Sequence, residues 1–529
     1  MCGIVAALTK DLNYNSKAIA EKMLSSISHR GPDESGYLSF NIDSGFTIGA
    51  NRLSVIGRDT GNITPFYKEG RKFVLAYNGE IYNYKDIRKS LECSGVIFQT
   101  DTDTEVFYEA WAKWQEKSLL MFNGMFAVVI FDLQSNSIYL ARDISGQKPL
   151  YYYLSDHLFA VASEAKAFQE LPIQLEMTKS SENEFYENFQ HNHKTTLYKN
   201  VFQVSPATLI KYDHKTNKIA GREYWSPNFG GYTGTYDNAV NELQDLIFKS
   251  VKRHSHAEVK HGLYLSDGLD SNILNMVGLF ENTYSYTSTG ISEKDIYLRL
   301  PEITKALDFP IASLSSYPLY RLAKMASEDN CTVVLSGEGA DELFGGYVRY
   351  LLPIAVNQLW ESKSNYQPLF TKAVPDPETI FSKITCRSSG EELVKDLFMK
   401  IRSQTPDLLT AMQYFDFKYV MPSLLNMGDR MSSQFSLENR CPYLDKEVIT
   451  FAFSLPPEYK CHNGQQKRVL KDVGSKMGFL DKPQKSGLTI DFNNYLHRND
   501  WDRSSYFSIL NYIWVSMFNE YKMRFSNEQ

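Results

Sequence analysis

The chain has no C-x-x-C pair and no close His/Cys cluster of the kind a zinc site usually needs. Its six cysteines, Cys2, Cys93, Cys331, Cys386, Cys441 and Cys461, are scattered and read as reduced thiols of a cytoplasmic protein. There is no long run of one charge sign: 56 basic residues face 62 acidic ones, and a net charge of −6 offers no surface for a polyanion. Nucleic acid is therefore not an expected partner. Apolar runs also stop short, since MFAVVIFDL (125–133) is about half the length that spans a bilayer. The start MCGIVAALTKDL lacks a basic leader, so no membrane role is expected. Internal repeats and low-complexity tracts are missing, and without G-x-x-x-x-G-K-S/T the chain is not a Walker-type ATPase.

What is present divides in two. A chain of 529 residues exceeds one ordinary core, and its patterning changes part of the way along. Residues 1–205 form the first expected domain, in which FTIGANRLSV, KFVLAYNGEI, FAVVIFDL, SIYLARD, PLYYYL and HLFAVAS read as short strands between turns. Residues 206–529 form the second. There Val240, Leu243, Ile247 and Val251 share one helical face, and the strands GLYLS, TYSYTS, PIASL and TVVLS alternate with helical segments. That alternation predicts a parallel sheet whose ligands bind at the carboxyl ends of its strands. From about residue 350 the pattern is mostly helical.

Cys2 follows the initiator methionine, and a small second residue permits that methionine to be removed. The exposed α-amine, with a pKa near ~8, could then take the proton of its own thiol and activate the sulfur. An early cysteine alone is more often an inert thiol. The company it keeps decides: HRGPDESG (29–36), RLSV (52–55), YNGEIYN (77–83), TDTEV (102–106), NGMFA (123–127), ARDISGQKPLYY (141–152) and ASEAKA (162–167). In this order they resemble the amino-terminal-nucleophile domain of class II glutamine amidotransferases. The resemblance implies an α+β sandwich with αββα layers, in which the thiol attacks the side-chain amide of glutamine and ammonia leaves a thioester. It implies an oxyanion hole from Asn78 and Gly79. It also implies glutamine binding by Arg52, Asn78, Glu80 and Asp103, with Arg52 on the α-carboxylate and the two acids on the α-ammonium. Simpler alternatives stay open: NGE as a hairpin turn, DTDTE as a solvated acidic run, His29 as a structural residue. A calcium loop is excluded, because Val106 and Ala112 stand where an EF-hand needs Gly and Glu. Thr64 stands where the family usually has glutamine.

In the second half, LSDGLDSN (265–272) resembles the pyrophosphate loop of ATP pyrophosphatases. LSGEGADELFGGY (335–347), MGDRMSSQFSLENRCPYLD (427–445) and the lysines of QQKRVLK (465–471) and PQKSGL (483–488) are similar to the synthetase domain of glutamine-dependent asparagine synthetases. This implies an α/β parallel-sheet ATP-pyrophosphatase domain with additional helices. It also implies ATP and Mg²⁺ as cofactors, and a reaction through an acyl-adenylate that releases AMP and pyrophosphate. Asp270 and Asp341 match the metal ligands. Leu265, Ser266, Gly268, Asp270 and Ser271 match the pyrophosphate loop, while Ser336 and Gly337 would touch the nucleotide. Lys467 and Lys485 would neutralise the leaving group, and Glu338 would take a proton from attacking ammonia. Arg440 and Asp445 could instead be a buried pair that shapes the pocket.

Asp267 is the odd residue, where a phosphate cradle favours glycine for its positive φ. Asp also visits that conformation, so the loop can form, provided the carboxylate points away from phosphate or helps hold Mg²⁺. Asn272 is a second departure. Small-molecule substrates follow: glutamine, ATP and a carboxylate acceptor, first of all aspartate, giving asparagine. The loop departures and TSTGISEKDIYLRL (287–300) leave open a uronic-acid acceptor in polysaccharide synthesis, or a non-catalytic pseudo-synthetase. An apolar ammonia passage is expected at the domain interface. Oligomeric state is open, a homodimer included, and the aromatic tail YFSILNYIWVSMF (506–518) fits a packed helix as well as an interface.

Overall fold

The computed structural model describes residues 1–11, 13–41, 45–57, 64–177, 196–286, 293–309, 315–361, 375–385 and 391–479. The first twelve strands build two six-stranded sheets. Strands β1 (Gly3–Thr9), β2 (Glu34–Asn41), β3 (Gly45–Arg52), β8 (Tyr151–Leu154), β9 (Leu158–Ala162) and β10 (Val201–Gln203) form one, in the order β10-β8-β9-β1-β3-β2. Strands β4 (Phe66–Tyr67), β5 (Phe73–Ile81), β6 (Gly124–Asp132), β7 (Ser137–Arg142), β11 (Thr208–Asp213) and β12 (Lys218–Glu223) form the other, in the order β12-β11-β7-β6-β5-β4. All pairings within these sheets are antiparallel.

The two-residue period of a strand explains the layers. Ile4, Ala6 and Leu8 of β1 face Val74 and Ala76 of β5 across the space between the sheets, which Phe46 and Phe131 fill with ring centroids 4.2 Å apart. The alternate residues Val5 and Ala7 turn outward, against the helix Ser16–Ser26. Likewise Leu75 and Tyr77 turn outward against the helices Tyr84–Glu92 and Asp103–Trp114. The result is helix, sheet, sheet, helix, the expected αββα sandwich. The hairpin β11–β12 carries the second sheet to Glu223, past the 205/206 boundary drawn from sequence, because β11 pairs directly with β7.

The second body is built on four parallel strands, in the order β14-β13-β15-β16: β13 (His261–Tyr264), β14 (Thr283–Tyr284), β15 (Val333–Leu335) and β16 (Glu438–Arg440). The helix Tyr236–His254 buries Val240, Leu243, Ile247 and Val251, as their spacing predicts. Of TYSYTS, the described residues 283–286 give only the short β14, and PIASL (310–314) lies outside the described residues. β16 corrects the helical reading beyond residue 350. Three residues with two charges carry no strand pattern, yet Val333 to Leu335 pair with all three.

Candidate functional site

Three strand ends meet at one edge of the sandwich. β1 begins just after Cys2 and pairs Gly3 with Asn51, which sets Arg52 alongside. Asn78, Gly79 and Glu80 lie within β5, so NGE is strand and not a hairpin turn. Asp103 opens a helix capped by Thr102, whose hydroxyl accepts from the Glu105 N–H at 3.3 Å. Cys2, Arg52, Gly79, Glu80 and Asp103 line one pocket of about 490 Å³, its open mouth included. Thr64, Tyr77 and Thr102 line it too, which sequence reasoning did not foresee.

Asn78 is fully buried beside this pocket. Its Oδ1 accepts from the Cys2 N–H at 2.8 Å, while its Nδ2 has no partner. A buried donor without a partner is costly, and a free donor beside the expected nucleophile is what a developing oxyanion would require. Gly79 cannot carry a side chain, since a Cβ there would sit 2.1 Å from the Met125 carbonyl oxygen. Arg52 is pinned by Glu34 at 3.1 Å and by the carbonyls of Ile56 and Gly57, both at 3.0 Å. Asp103 accepts from the Tyr77 hydroxyl at 2.8 Å and the Ile81 N–H at 3.0 Å. Burial pushes Glu80 well above the usual carboxylate range, opposed by Arg440, and burial also raises Asp103 against those two hydrogen bonds. A cation entering the pocket would draw both acids back toward their charged forms. Burial likewise pushes the Cys2 thiol up, against the terminal ammonium, the Leu53 N–H and Arg52.

The loops expected to hold the nucleotide gather for a topological reason. Leu263 of β13, Leu335 of β15 and Arg440 of β16 are in register, so the three following loops share one edge of the sheet. Gly337 lets two of them touch: a Cβ there would lie 3.2 Å from both Asp270 Cβ and the Ser271 nitrogen. In the 265–272 turn, Ser271 Oγ accepts from the Ser266 N–H at 3.0 Å, and Ser266 Oγ accepts from the Gly268 N–H at 3.2 Å. Asn272 fastens the turn, its Nδ2 donating to the carbonyls of Ser266 and Gly268, both at 2.8 Å. Leu265 precedes the turn, half-buried. Asp267 is exposed and its φ is not positive, which corrects the expectation that the loop needs glycine's freedom there.

Lys467 is buried with Nζ 2.7 Å from both Asp270 oxygens and 2.6 Å from Asp341 Oδ1. Burial alone would lower its pKa, but the two carboxylates outweigh that and raise it. Its backbone is left-handed, at φ 51°, an uncommon conformation kept at a point where geometry matters. Gly346 makes room, since a Cβ there would meet Asp341 Oδ1 at 1.8 Å and Lys467 Cε at 2.2 Å. Asp270 and Asp341 thus converge on one cationic point, which fits a Mg²⁺ that takes one or two carboxylates plus phosphate oxygens. Among the described residues no group of three or more His, Cys, Asp or Glu is gathered as a metal site. Lys485 lies outside the described residues. Ser336 turns its hydroxyl onto Glu338 Oε2 at 3.1 Å; burial raises Glu338, opposed by hydrogen bonds from Cys441, Ser336 and Asn439.

Buried charges join the two sites. Arg440 reaches Glu80 at 3.3 Å and Glu438 at 2.8 Å, while Asp445 pairs with Arg253 at 3.2 Å; both are buried, but not as each other's partner. Arg30 donates to the Cys2 carbonyl at 3.1 Å, to Glu164 at 2.7 Å and to Asp429 at 2.8 Å. Arg430 binds Glu164 at 2.8 Å and Asp308 at 3.1 Å. His29, left open as structural, sits 3.2 Å from Glu164. Met1 is buried, its ammonium 3.0 Å from Glu438. Arg30 and Asp429 lay in quoted motifs, but partners 399 residues apart leave no spacing signal. No helix among the described residues is long and apolar enough to cross a membrane.

Comparison with known proteins agrees with this division. A family model described as a glutamine amidotransferase domain matches residues 1–225, and one described as asparagine synthase matches residues 283–479. The glutamine-hydrolysing asparagine synthetase 1 of Bacillus subtilis (strain 168) is 30% identical over 572 aligned residues, covering 95% of this chain and 89% of the relative. Asparagine synthetase 3 of the same organism is 26% identical, covering 89% of this chain and 84% of its own. A solved glutamine phosphoribosylpyrophosphate amidotransferase from B. subtilis, with ADP and GMP, is 16% identical over 64% of this chain and 82% of its own, at a TM-score of 0.33, too low to argue from. With both halves matched in order and nearly the whole length shared with a 30% identical relative, the chain belongs to the glutamine-hydrolysing asparagine synthetases, ATP-dependent carbon–nitrogen ligases.

Proposed function

We propose that the chain makes L-asparagine from aspartate, ATP and glutamine. Once Met1 is removed, the Cys2 amine takes the thiol proton and the sulfur attacks the glutamine side-chain carbon. Asn78 Nδ2 and the Gly79 N–H receive the oxyanion. Arg52 holds the α-carboxylate, and Glu80 and Asp103 hold the α-ammonium. Collapse expels ammonia, and water releases glutamate from the thioester.

In the second body an oxygen of the aspartate side chain attacks the α-phosphorus of ATP, and the bond to pyrophosphate breaks. Ser266, Gly268 and Ser271 offer donors to the departing pyrophosphate, Ser336 and Gly337 border the nucleotide, and Lys467, with Lys485, neutralises charge. Mg²⁺, held by Asp270 and Asp341 together with phosphate oxygens, would supply further charge neutralisation when bound. Ammonia then forms the C–N bond, the C–O bond to AMP breaks, and Glu338 takes the proton.

One observation carries this reading: a buried ion pair between Arg440 and Glu80 links the glutamine pocket to the strand beside Glu338. Two unrelated pockets would gain nothing from such a contact. The exposed Asp267 and the fastening role of Asn272 remove the motive to read the loop as decayed. The test is to incubate the pure protein with ATP, Mg²⁺, glutamine and aspartate. Asparagine, AMP and pyrophosphate are expected in equal amounts. AMP formed only with a sugar acid, or ADP in its place, would overturn the assignment.

A further inference from the structure

Asn439 stands in the middle of β16, buried at 8% exposure, and nothing in the reaction so far uses it. Its Nδ2 donates to Glu338 Oε2 at 3.2 Å, while its buried Oδ1 has no hydrogen-bond partner. Turning the amide over would set its oxygen against a carboxylate oxygen, so the donor direction is fixed by the neighbour. Ser336 Oγ at 3.1 Å and Cys441 Sγ at 3.3 Å also donate to Oε2. Three donors therefore hold one oxygen of Glu338, and the other, Oε1, is used by none of them.

A glycine brings the backbone close to Oε1. Gly428, on the helix Met421–Ser433, faces this corner, and a Cβ there would lie 3.1 Å from both Glu338 Oε1 and Asn439 Nδ2. The hydrogen-bonded pair thus keeps two acceptors without donors of their own: Glu338 Oε1 and Asn439 Oδ1. A small neutral molecule with several N–H bonds and one lone pair suits such a corner.

We propose that Asn439 is a substrate-binding residue of the amide-forming step, its Oδ1 and Glu338 Oε1 accepting two N–H bonds from ammonia and so aiming the lone pair at the acyl-adenylate. The proposal rests on the synthetase reading above. In this step the nitrogen lone pair forms the C–N bond to the acyl carbon, and the C–O bond to AMP breaks with its electron pair leaving on the phosphate. One N–H proton passes to Glu338 Oε1, leaving a neutral amide. Ser336 and Cys441 act as positioning residues, by fixing the carboxylate through Oε2.

The experiment separates the two steps of the full-length enzyme. Asn439→Leu should raise the KM for ammonia in ammonia-dependent amide formation by about tenfold, the worth of one neutral hydrogen bond. The aspartate-dependent ATP–pyrophosphate exchange should stay within about twofold, because ammonia is absent from adenylation. If the leucine variant does not fold, Asn439→Ser carries the same expectation, its side chain being too short to reach both partners. An unchanged KM for ammonia, or exchange falling as far as amide formation, would overturn the proposal while leaving the synthetase reading intact. A parent enzyme without acceptor-dependent exchange would remove both.

Discussion

In the pocket beside Cys2, Asn78 and Asp103 are held by uncharged partners, the Cys2 N–H, a phenol and a backbone N–H, while Arg52 and Glu80 are tied to Glu34 and Arg440 behind them. At the nucleotide loops Asp270 and Asp341 are held by a cation, Lys467, on a side chain with four flexible bonds. The difference follows from the substrates. Glutamine is compact and nearly neutral overall, so fixed dipoles stabilise its transition state without reorganising. A triphosphate carries a large negative charge, and acids near it must be neutralised before and during binding. One cluster is held largely by hydrogen bonds; the other is held by a single shared cation.

Variants that strike one site should spare the other, and the largest effect is expected at the nucleophile. Cys2→Ala should lower glutamate release from glutamine by at least ~10³-fold and leave ammonia-dependent synthesis within about twofold. Glutamine use surviving in that variant would break the comparison at its first term. Lys467→Ala should cut ATP–pyrophosphate exchange by roughly 10²- to 10³-fold with glutaminase rates unchanged. A comparable loss on both sides would mean that Lys467 supports the fold and not the charge exchange. For Asn78→Ala, glutaminase kcat should fall by about 10²-fold while KM changes little, as for the loss of one oxyanion donor.

The contact between the bodies gives a pH-dependent test. Burial would raise Glu164, but Arg430, Lys166 and His29 outweigh it and hold the carboxyl well below its ordinary 4.5. A depressed acid stabilises the fold above its unfolded pKa and loses that contribution as pH falls through the folded one. The thermal midpoint should therefore drop as pH is lowered from about 4.5, and less steeply in Glu164→Gln. The smallest effect belongs to Asp267→Gly, for which exchange should stay within about threefold, because neither backbone φ nor the turn's hydrogen bonds depend on that side chain.

Much of this was legible before the fold. Apolar strands such as β5 and β6 and the period-3.6 face of Tyr236–His254 express burial directly in residue type. That Cys2, Arg52, Gly79, Glu80 and Asp103 belong together was equally readable, because each sits in a motif of the quoted series. β16 was not, since a three-residue strand with Glu438 and Arg440 looks like surface chain until their partners are known. Nor were the true partners of Arg440 and Asp445, because an ion pair between distant segments has no period. Asn439 and Cys441 stood inside a quoted motif, but only packing against Glu338 gives them a role.

The burial of Met1 bears on how the protein is made. Its side chain packs among Leu53, Val55 and Ile144 and against the core of the second body, and its amine is sealed beneath β16. The mechanism proposed above therefore asks that Met1 be removed before the two bodies close over this end, since a peptidase could not reach an amine buried 3.0 Å from Glu438.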